Sequence, residues 1–139
     1  MKAVKSSTKY QKVLLIDDDG IDNFINERII TSTSFSSEVI VKTMVKDALD
    51  FIRSSVSDES KLPEIIFLDL NMPVIDGFEF LDQFEKIYKD NESVRRKCKI
   101  IVLSSSVSPE DINRVSLNPR VYKYINKPLS ETYLNAINY

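Results

Sequence analysis

The sequence predicts an α/β fold, a doubly wound parallel sheet of five strands with helices on both faces, and three observations carry that prediction. Short continuous apolar runs such as Lys12-Val13-Leu14-Leu15-Ile16, Ile65-Ile66-Phe67-Leu68 and Ile100-Ile101-Val102-Leu103 read as strands buried on both faces. They alternate with segments whose apolar residues recur at helical spacing, the pattern of βα units joined by right-handed crossovers. Polar residues follow several of these runs directly: Asp17-Asp18-Asp19, Asp69, Ser104-Ser105-Ser106 and Lys127. That is the carboxyl edge, where open α/β sheets build their sites.

In chain order, Met1 to Lys9 is polar and reads as a flexible lead-in, leaving residues 10–139 as one domain. Tyr10 to Ile16 is the first strand. Ile21, Phe24, Ile25 and Ile29 then recur at helical spacing and predict a helix from about Asp22 to Ser32, with Asp22 as a cap or first-turn acid. Val39-Ile40-Val41 is a short second strand, and Val45, Ala48, Leu49 and Ile52 mark the second helix, which ends in the Ser-rich stretch from Ser54 to Ser60. After the third strand from Ile65, Phe78, Leu81, Phe84, Ile87 and Tyr88 predict a third helix from Gly77 to about Lys89. Asp90 to Lys99 reads as a polar loop or helix end, and its Arg95-Arg96-Lys97 is too small a charge cluster for a binding patch. The fourth strand is Ile100 to Leu103. Pro109-Glu110-Asp111 suits a helix first turn, so a fourth helix runs to Ser116. Val121 to Ile125 is the fifth strand, and Ser130 caps a fifth helix built on Tyr133, Leu134 and Ile137.

Composition narrows the function classes. The chain has 139 residues, 42% hydrophobic, with 19 Lys and Arg against 21 Asp and Glu. A net charge of −2 gives no basic surface for nucleic acid. One cysteine, Cys98, excludes an intramolecular disulfide and reads as an inert residue near a strand, while the absence of His leaves no zinc site or Ser-His-Asp triad. No signal-peptide core or run of about 20 apolar residues occurs, so a cytoplasmic protein without membrane attachment is expected.

Adjacent parallel strands bring Asp17, Asp18 and Asp69 into one pocket. Like charges about 5 Å apart cost roughly 3 kcal/mol per pair at an effective dielectric of 20. Either a proton or a cation must offset that repulsion, and an oxygen-only ligand set favours a hard ion such as magnesium.

The acidic cluster after the first strand, Phe67-Leu68-Asp69-Leu70-Asn71-Met72-Pro73 with Asp76-Gly77, the Ser104 strand end and Lys127-Pro128 together resemble the receiver domain of two-component response regulators. The resemblance runs from about Tyr10 to the last residue and implies the flavodoxin-like sheet of strand order 2-1-3-4-5. It implies Asp69 as acceptor of a phosphoryl group from a sensor histidine kinase or histidine phosphotransfer protein. Asp17, Asp18, Asp69 and the Asn71 main-chain carbonyl are the implied ligands of Mg2+, for which Mn2+ may substitute. Lys127, followed by a cis proline bond, would pair with the phosphoryl group. Ser104 would hydrogen-bond it, and Tyr124 would turn inward in response. The switch would be read by a downstream protein target at the fourth helix, fifth strand and fifth helix, around Tyr122, Tyr124 and Tyr133. With no output domain after the fifth helix, the expectation is a stand-alone phospho-acceptor rather than a turnover enzyme.

Two features depart from the family pattern: Leu117-Asn118-Pro119-Arg120 lacks the usual glycine before the fifth strand, and Asp90 to Lys99 is long. Asp17-Asp18-Asp19-Gly20 fails as an EF-hand because Asp22 and Arg28 occupy the Gly and Glu positions. A haloacid-dehalogenase-type phosphatase requires an acid where Asn71 stands. A pseudo-receiver, an interaction module that is never phosphorylated, is the remaining alternative.

Overall fold

A computed structural model of the chain describes residues 8–70, 76–105 and 108–139. The elements follow in the order β1 (Tyr10–Ile16), α1 (Gly20–Ser32), β2 (Ser36–Lys42), α2 (Val45–Ser55), a 3₁₀ turn (Glu59–Lys61), β3 (Ile65–Leu68), α3 (Gly77–Asp90), α4 (Glu92–Lys97), β4 (Lys99–Ser104), α5 (Pro109–Ser116), β5 (Val121–Asn126) and α6 (Glu131–Asn135). All strands pair in parallel, in the expected order β2-β1-β3-β4-β5.

The period of two along each strand divides the core into layers. Leu14, Ile16, Ile66, Leu68 and Ile100 pack beneath Ala48, Leu49 and Ile52 of α2 and Phe80, Leu81 and Phe84 of α3. Val13, Leu15, Ile65, Phe67, Ile101 and Leu103 face the other way, against Ile30 of α1 and Leu134 of α6. Val102 and Leu70 meet Val115 of α5 in a smaller cluster. Both faces of the sheet are thus covered, which is why the central strands carry unbroken apolar runs.

The phase of α1 is what its apolar spacing leaves open. Of the stripe, Ile21, Phe24 and Ile25 face solvent, 73%, 62% and 48% exposed, Ile29 is partly buried against the core, and Asn23, Asn26 and Ile30 are buried. The cause lies at the helix start. Asp19 is the cap, its carboxylate accepting from the Ile21 and Asp22 amides, and Asp22 is the first-turn acid, the second of the two roles its position offers. Asn23 Nδ2 donates to the Asp17 carbonyl over 2.8 Å, which turns the Asn23, Asn26 and Ile30 row toward the sheet.

The second difference is α4, where a polar loop or helix end is expected. Val94 is buried in the core beneath α2 and α3, and Glu92 pairs with Arg96 one turn later at 2.8 Å. The basic triplet serves the fold. Arg95 donates to the Tyr88 and Lys89 carbonyls at the end of α3, Arg96 meets Glu59 at 2.6 Å, and Lys97 donates to the Glu59 carbonyl. At the end of the chain, α6 buries Leu134 but leaves Tyr133 38% exposed, and Ile137 is buried just beyond the helix. Of the expected lead-in, residues 1–7 lie outside the described residues, while Lys9 is tied to the fold through its amide on the Ser34 carbonyl. Among the described residues, no helix is long and apolar enough to cross a membrane.

Candidate functional site

Sheet register places the acids. Ile16 of β1 pairs with Leu68 of β3, so Asp17 and Asp69 leave neighbouring strands at the same level. The Asp69 amide continues the ladder by donating to the Ile16 carbonyl at 3.0 Å, and that of Asp17 donates to the Lys42 carbonyl at 3.2 Å. Asp17 and Asp69 are buried and Asp18 is exposed. Each offers an oxygen atom, and these oxygens lie within 4.8 Å of one another. At that separation each pair of charges repels by about 3.5 kcal/mol at an effective dielectric of 20.

Lys127 is the opposing charge. Its amide donates to the Ser104 carbonyl, extending the pairing of β4 with β5, and its peptide bond to Pro128 is cis, as expected. The ammonium lies 2.6 Å from Asp17 Oδ2, 2.7 Å from Asp22 Oδ2 and 3.6 Å from Asp69 Oδ2. Burial alone would lower its pKa, but the hydrogen bonds to Asp17 and Asp22, with the charge of Asp69, raise it above the ordinary lysine value. Four carboxylates against one ammonium leave the pocket anionic. Among the described residues the cluster is three converging carboxylate oxygens with no His or Cys ligand, which fits a hard divalent cation such as Mg2+ or Mn2+, and Asp17, Asp18 and Asp69 are the side chains that could hold it.

Asp76 and Gly77 fix the far wall. The Asp76 carboxylate caps α3 by accepting from the Glu79 amide, and the Gly77 amide donates to the Leu70 carbonyl. A Cβ at Gly77 would stand 2.7 Å from Leu70 Cα and 2.8 Å from the Asp69 carbonyl oxygen, so the start of α3 lies against the acid-bearing strand end only because residue 77 has no side chain.

Ser104 ends β4, fully buried, one strand over from Asp69. Tyr124 is half-buried over Leu70, Val102 and Val115. Burial, then the negative charges of Asp111 and Asp69, push its hydroxyl pKa upward. Thus Asp17, Asp18, Asp69, Lys127 and Ser104 gather at one sheet edge, Tyr124 lies within β5 opposite Val102, and Asn71 lies outside the described residues.

Sequence reasoning missed two features. Asp22, legible as a first-turn acid, is also a direct partner of Lys127, a role that nothing in the sequence marks because that partner lies 105 residues away. Ile21, Phe24 and Ile25 form an exposed apolar face beside the pocket, and their spacing did signal a stripe but not which way it points. Between the two, Asp22, Ile25, Asn26, Ser105, Lys127 and Pro128 line a cleft of about 260 Å³.

Comparison with known proteins places residues 13–138 in the response regulator receiver domain family. The probable methanogenesis regulatory protein FilR2 of Methanothrix harundinacea is 30% identical over 118 residues, 85% of this chain and 72% of that protein. A two component response regulator from Cytophaga hutchinsonii, known by crystal structure, superposes with a TM-score of 0.81 at 34% identity, over 91% of this chain and 92% of that one. The Mn(2+)-bound form of response regulator Rcp1 superposes with a TM-score of 0.67 at 25% identity, over 89% of this chain and 86% of that one.

Proposed function

The chain belongs to the response regulator receiver family, and on that premise we propose that it accepts a phosphoryl group on Asp69 from a phosphohistidine of a sensor kinase or histidine phosphotransfer protein. The observation that carries this reading is the convergence of Asp17, Asp18 and Asp69 at one sheet edge with the Lys127 ammonium among them. In the transfer, an Asp69 carboxylate oxygen attacks phosphorus, the donor's N–P bond breaks, and the imidazole leaves with the electron pair and takes a proton. The product is an acyl phosphate on Asp69.

Asp17, Asp18, Asp69 and the Asn71 main-chain carbonyl are the proposed ligands of Mg2+, or of the Mn2+ named for the Rcp1 relative. Bound there, the cation would neutralise charge on the transferring phosphoryl oxygens, which is where most of the catalysis of phosphoryl transfer lies. Lys127 leaves its carboxylate partners to pair with the phosphoryl group, and the Ser104 hydroxyl donates to one of its oxygens. Tyr124 fills the space that this rearrangement opens. Switching an equilibrium from 1:99 to 99:1 takes about 5.5 kcal/mol, and charge-assisted hydrogen bonds of roughly 1.5 to 3 kcal/mol each could supply it.

The apolar face of Ile21, Phe24 and Ile25, next to the cleft at Lys127 and Pro128, suits docking of the histidine-bearing partner. The partner-binding face read downstream is α5, β5 and α6, where Ile112, Leu117, Tyr122 and Tyr133 are exposed.

The test is incubation with Mg2+ and acetyl phosphate, followed by intact mass spectrometry of wild type and Asp69→Asn. A phosphoryl-sized mass gain in wild type alone, abolished by chelator, is expected. No gain under any condition would turn the reading to a pseudo-receiver.

A further inference from the structure

We propose that Asp22 is a positioning residue that holds the Lys127 ammonium at the rim of the acidic pocket and so keeps Asp17 available to a divalent cation. The inference rests on the functional reading above and deepens it, since it concerns how that site exchanges an internal cation for an external one.

The geometry separates Asp22 from the other acids. Asp17, Asp18 and Asp69 converge on one point, and Asp22 is not part of that group. It does not cap its own helix either, because Asp19 accepts both first-turn amides. Its described partner is Lys127, at 2.7 Å. Asp22 reaches in from the rim, its side chain 36% exposed, while the Lys127 side chain is 12% exposed and that of Asp17 only 2%.

These positions define a competition. The ammonium has three donors, and its two short contacts are one carboxylate inside the triad and one outside it. A metal ion that takes Asp17 displaces the ammonium from that oxygen. With Asp22 present, the displaced ammonium keeps a charged partner and moves outward. Without it, the nearest anions are Asp17 and Asp69, the metal's own ligands. A mostly buried ammonium with no anion is unfavourable, so Lys127 would stay on the triad and compete with the metal. Asp22 thus favours metal loading by giving Lys127 somewhere else to bind.

Calorimetric Mg2+ titration of the metal-free full chain tests this, on wild type, Asp22→Asn, Asp22→Glu, Lys127→Met and the Asp22→Asn/Lys127→Met pair, with thermal melts run on each. Asp22→Asn is expected to raise the Mg2+ Kd by about tenfold, the low end of what a charge-assisted hydrogen bond carries. Asp22→Glu is expected to restore most of the affinity. In the Lys127→Met background, or Lys127→Gln where Met does not fold, Asp22→Asn is expected to change Kd by less than about twofold, since no ammonium remains to be held. A tenfold loss that persists there would overturn the inference, because Asp22 would then act as a bare charge on the metal. No loss in the Lys127-containing chain would overturn it equally. A wild-type chain that binds no Mg2+ removes the functional reading itself, an outcome distinct from wild-type binding that is indifferent to Asp22.

Discussion

Replacing Gly77 by alanine should destabilise the protein, and the structure supplies the reason. Backbone conformation is not at issue, since neither described glycine has a positive φ. On helix propensity alone the added methyl would stabilise by about 0.5–1 kcal/mol. The new Cβ, however, would meet Leu70 Cα at 2.7 Å and the Asp69 carbonyl oxygen at 2.8 Å. Both are main-chain atoms of the acid-bearing strand end, which cannot rotate aside, so α3 or Asp69 must shift. Overpacking of this kind costs about 1–3 kcal/mol, so the net loss reaches about 2.5 kcal/mol and is about 1 kcal/mol at mid-range. Urea unfolding should show a lower midpoint at unchanged m, and melting should show a fall in Tm of a few degrees. Gly20→Ala is the matched control, because nothing lies within 4 Å of its added Cβ and it too begins a helix. Its stability should equal or exceed that of wild type. A Gly77→Ala chain as stable as wild type would refute the argument that close approach, rather than chance, places glycine after Asp76.

Two further predictions follow from burial. With α1 in its outward phase, Ile21→Ser and Phe24→Ser should change unfolding free energy by less than about 0.5 kcal/mol, whereas Ile30→Ala should cost about 3 kcal/mol; the reverse ranking in denaturant titrations would place Ile21 and Phe24 in the core instead. Burial pushes the Cys98 thiol up to about 12. At pH 8 about one molecule in 10⁴ would carry the thiolate, so a disulfide reagent should react slowly with the native chain and quickly in denaturant. Because the unfolded thiol ionises near about 8.5, the native state holds a proton that the unfolded state has lost between pH ~8.5 and ~12, and stability from this group falls as pH rises through that window. Cys98→Ala should remove that part of the pH dependence.

The strands and their order were legible in the sequence because the signal is local: each central strand is an apolar run ended by a polar residue, and sheet position follows from the βα alternation. Asp17, Asp69, Ser104 and Lys127 were legible for the same reason. What the sequence could not settle was rotational phase and long-range pairing. Helix α2, whose only strong pattern is Val45, Ala48, Leu49 and Ile52, buries all four as read. Helix α1 carries two competing patterns, Ile21-Phe24-Ile25 and Asn23-Asn26-Ile30, and hydrophobicity favours the wrong one. A polar loop or helix end is all that the sequence shows of α4, because its fold-specific contacts, Arg95 on the end of α3 and Arg96 on Glu59, join residues that are neighbours only in three dimensions.

The outward phase of α1 links the site to the surface around it. Leaving Ile21, Phe24 and Ile25 73%, 62% and 48% exposed forgoes that share of the roughly 1.5–3 kcal/mol each would gain on full burial, about 3–5.5 kcal/mol in all. The opposite phase would turn Asn23 away from the Asp17 carbonyl and Asp22 away from Lys127, breaking a buried hydrogen bond and a charge-assisted one at the pocket. A partner lost from a buried polar group costs about 1–3 kcal/mol, and more where the group is charged, so the two sides are of similar size. The polar side prevails because Asp19 fixes where the helix starts, and Gly20 through Asn23 inherit their directions from that cap. The same few residues that tie α1 to the acidic pocket therefore present an apolar face beside it. A substitution that loosened this anchor, Asn23→Leu for instance, would disturb the pocket and the neighbouring surface together.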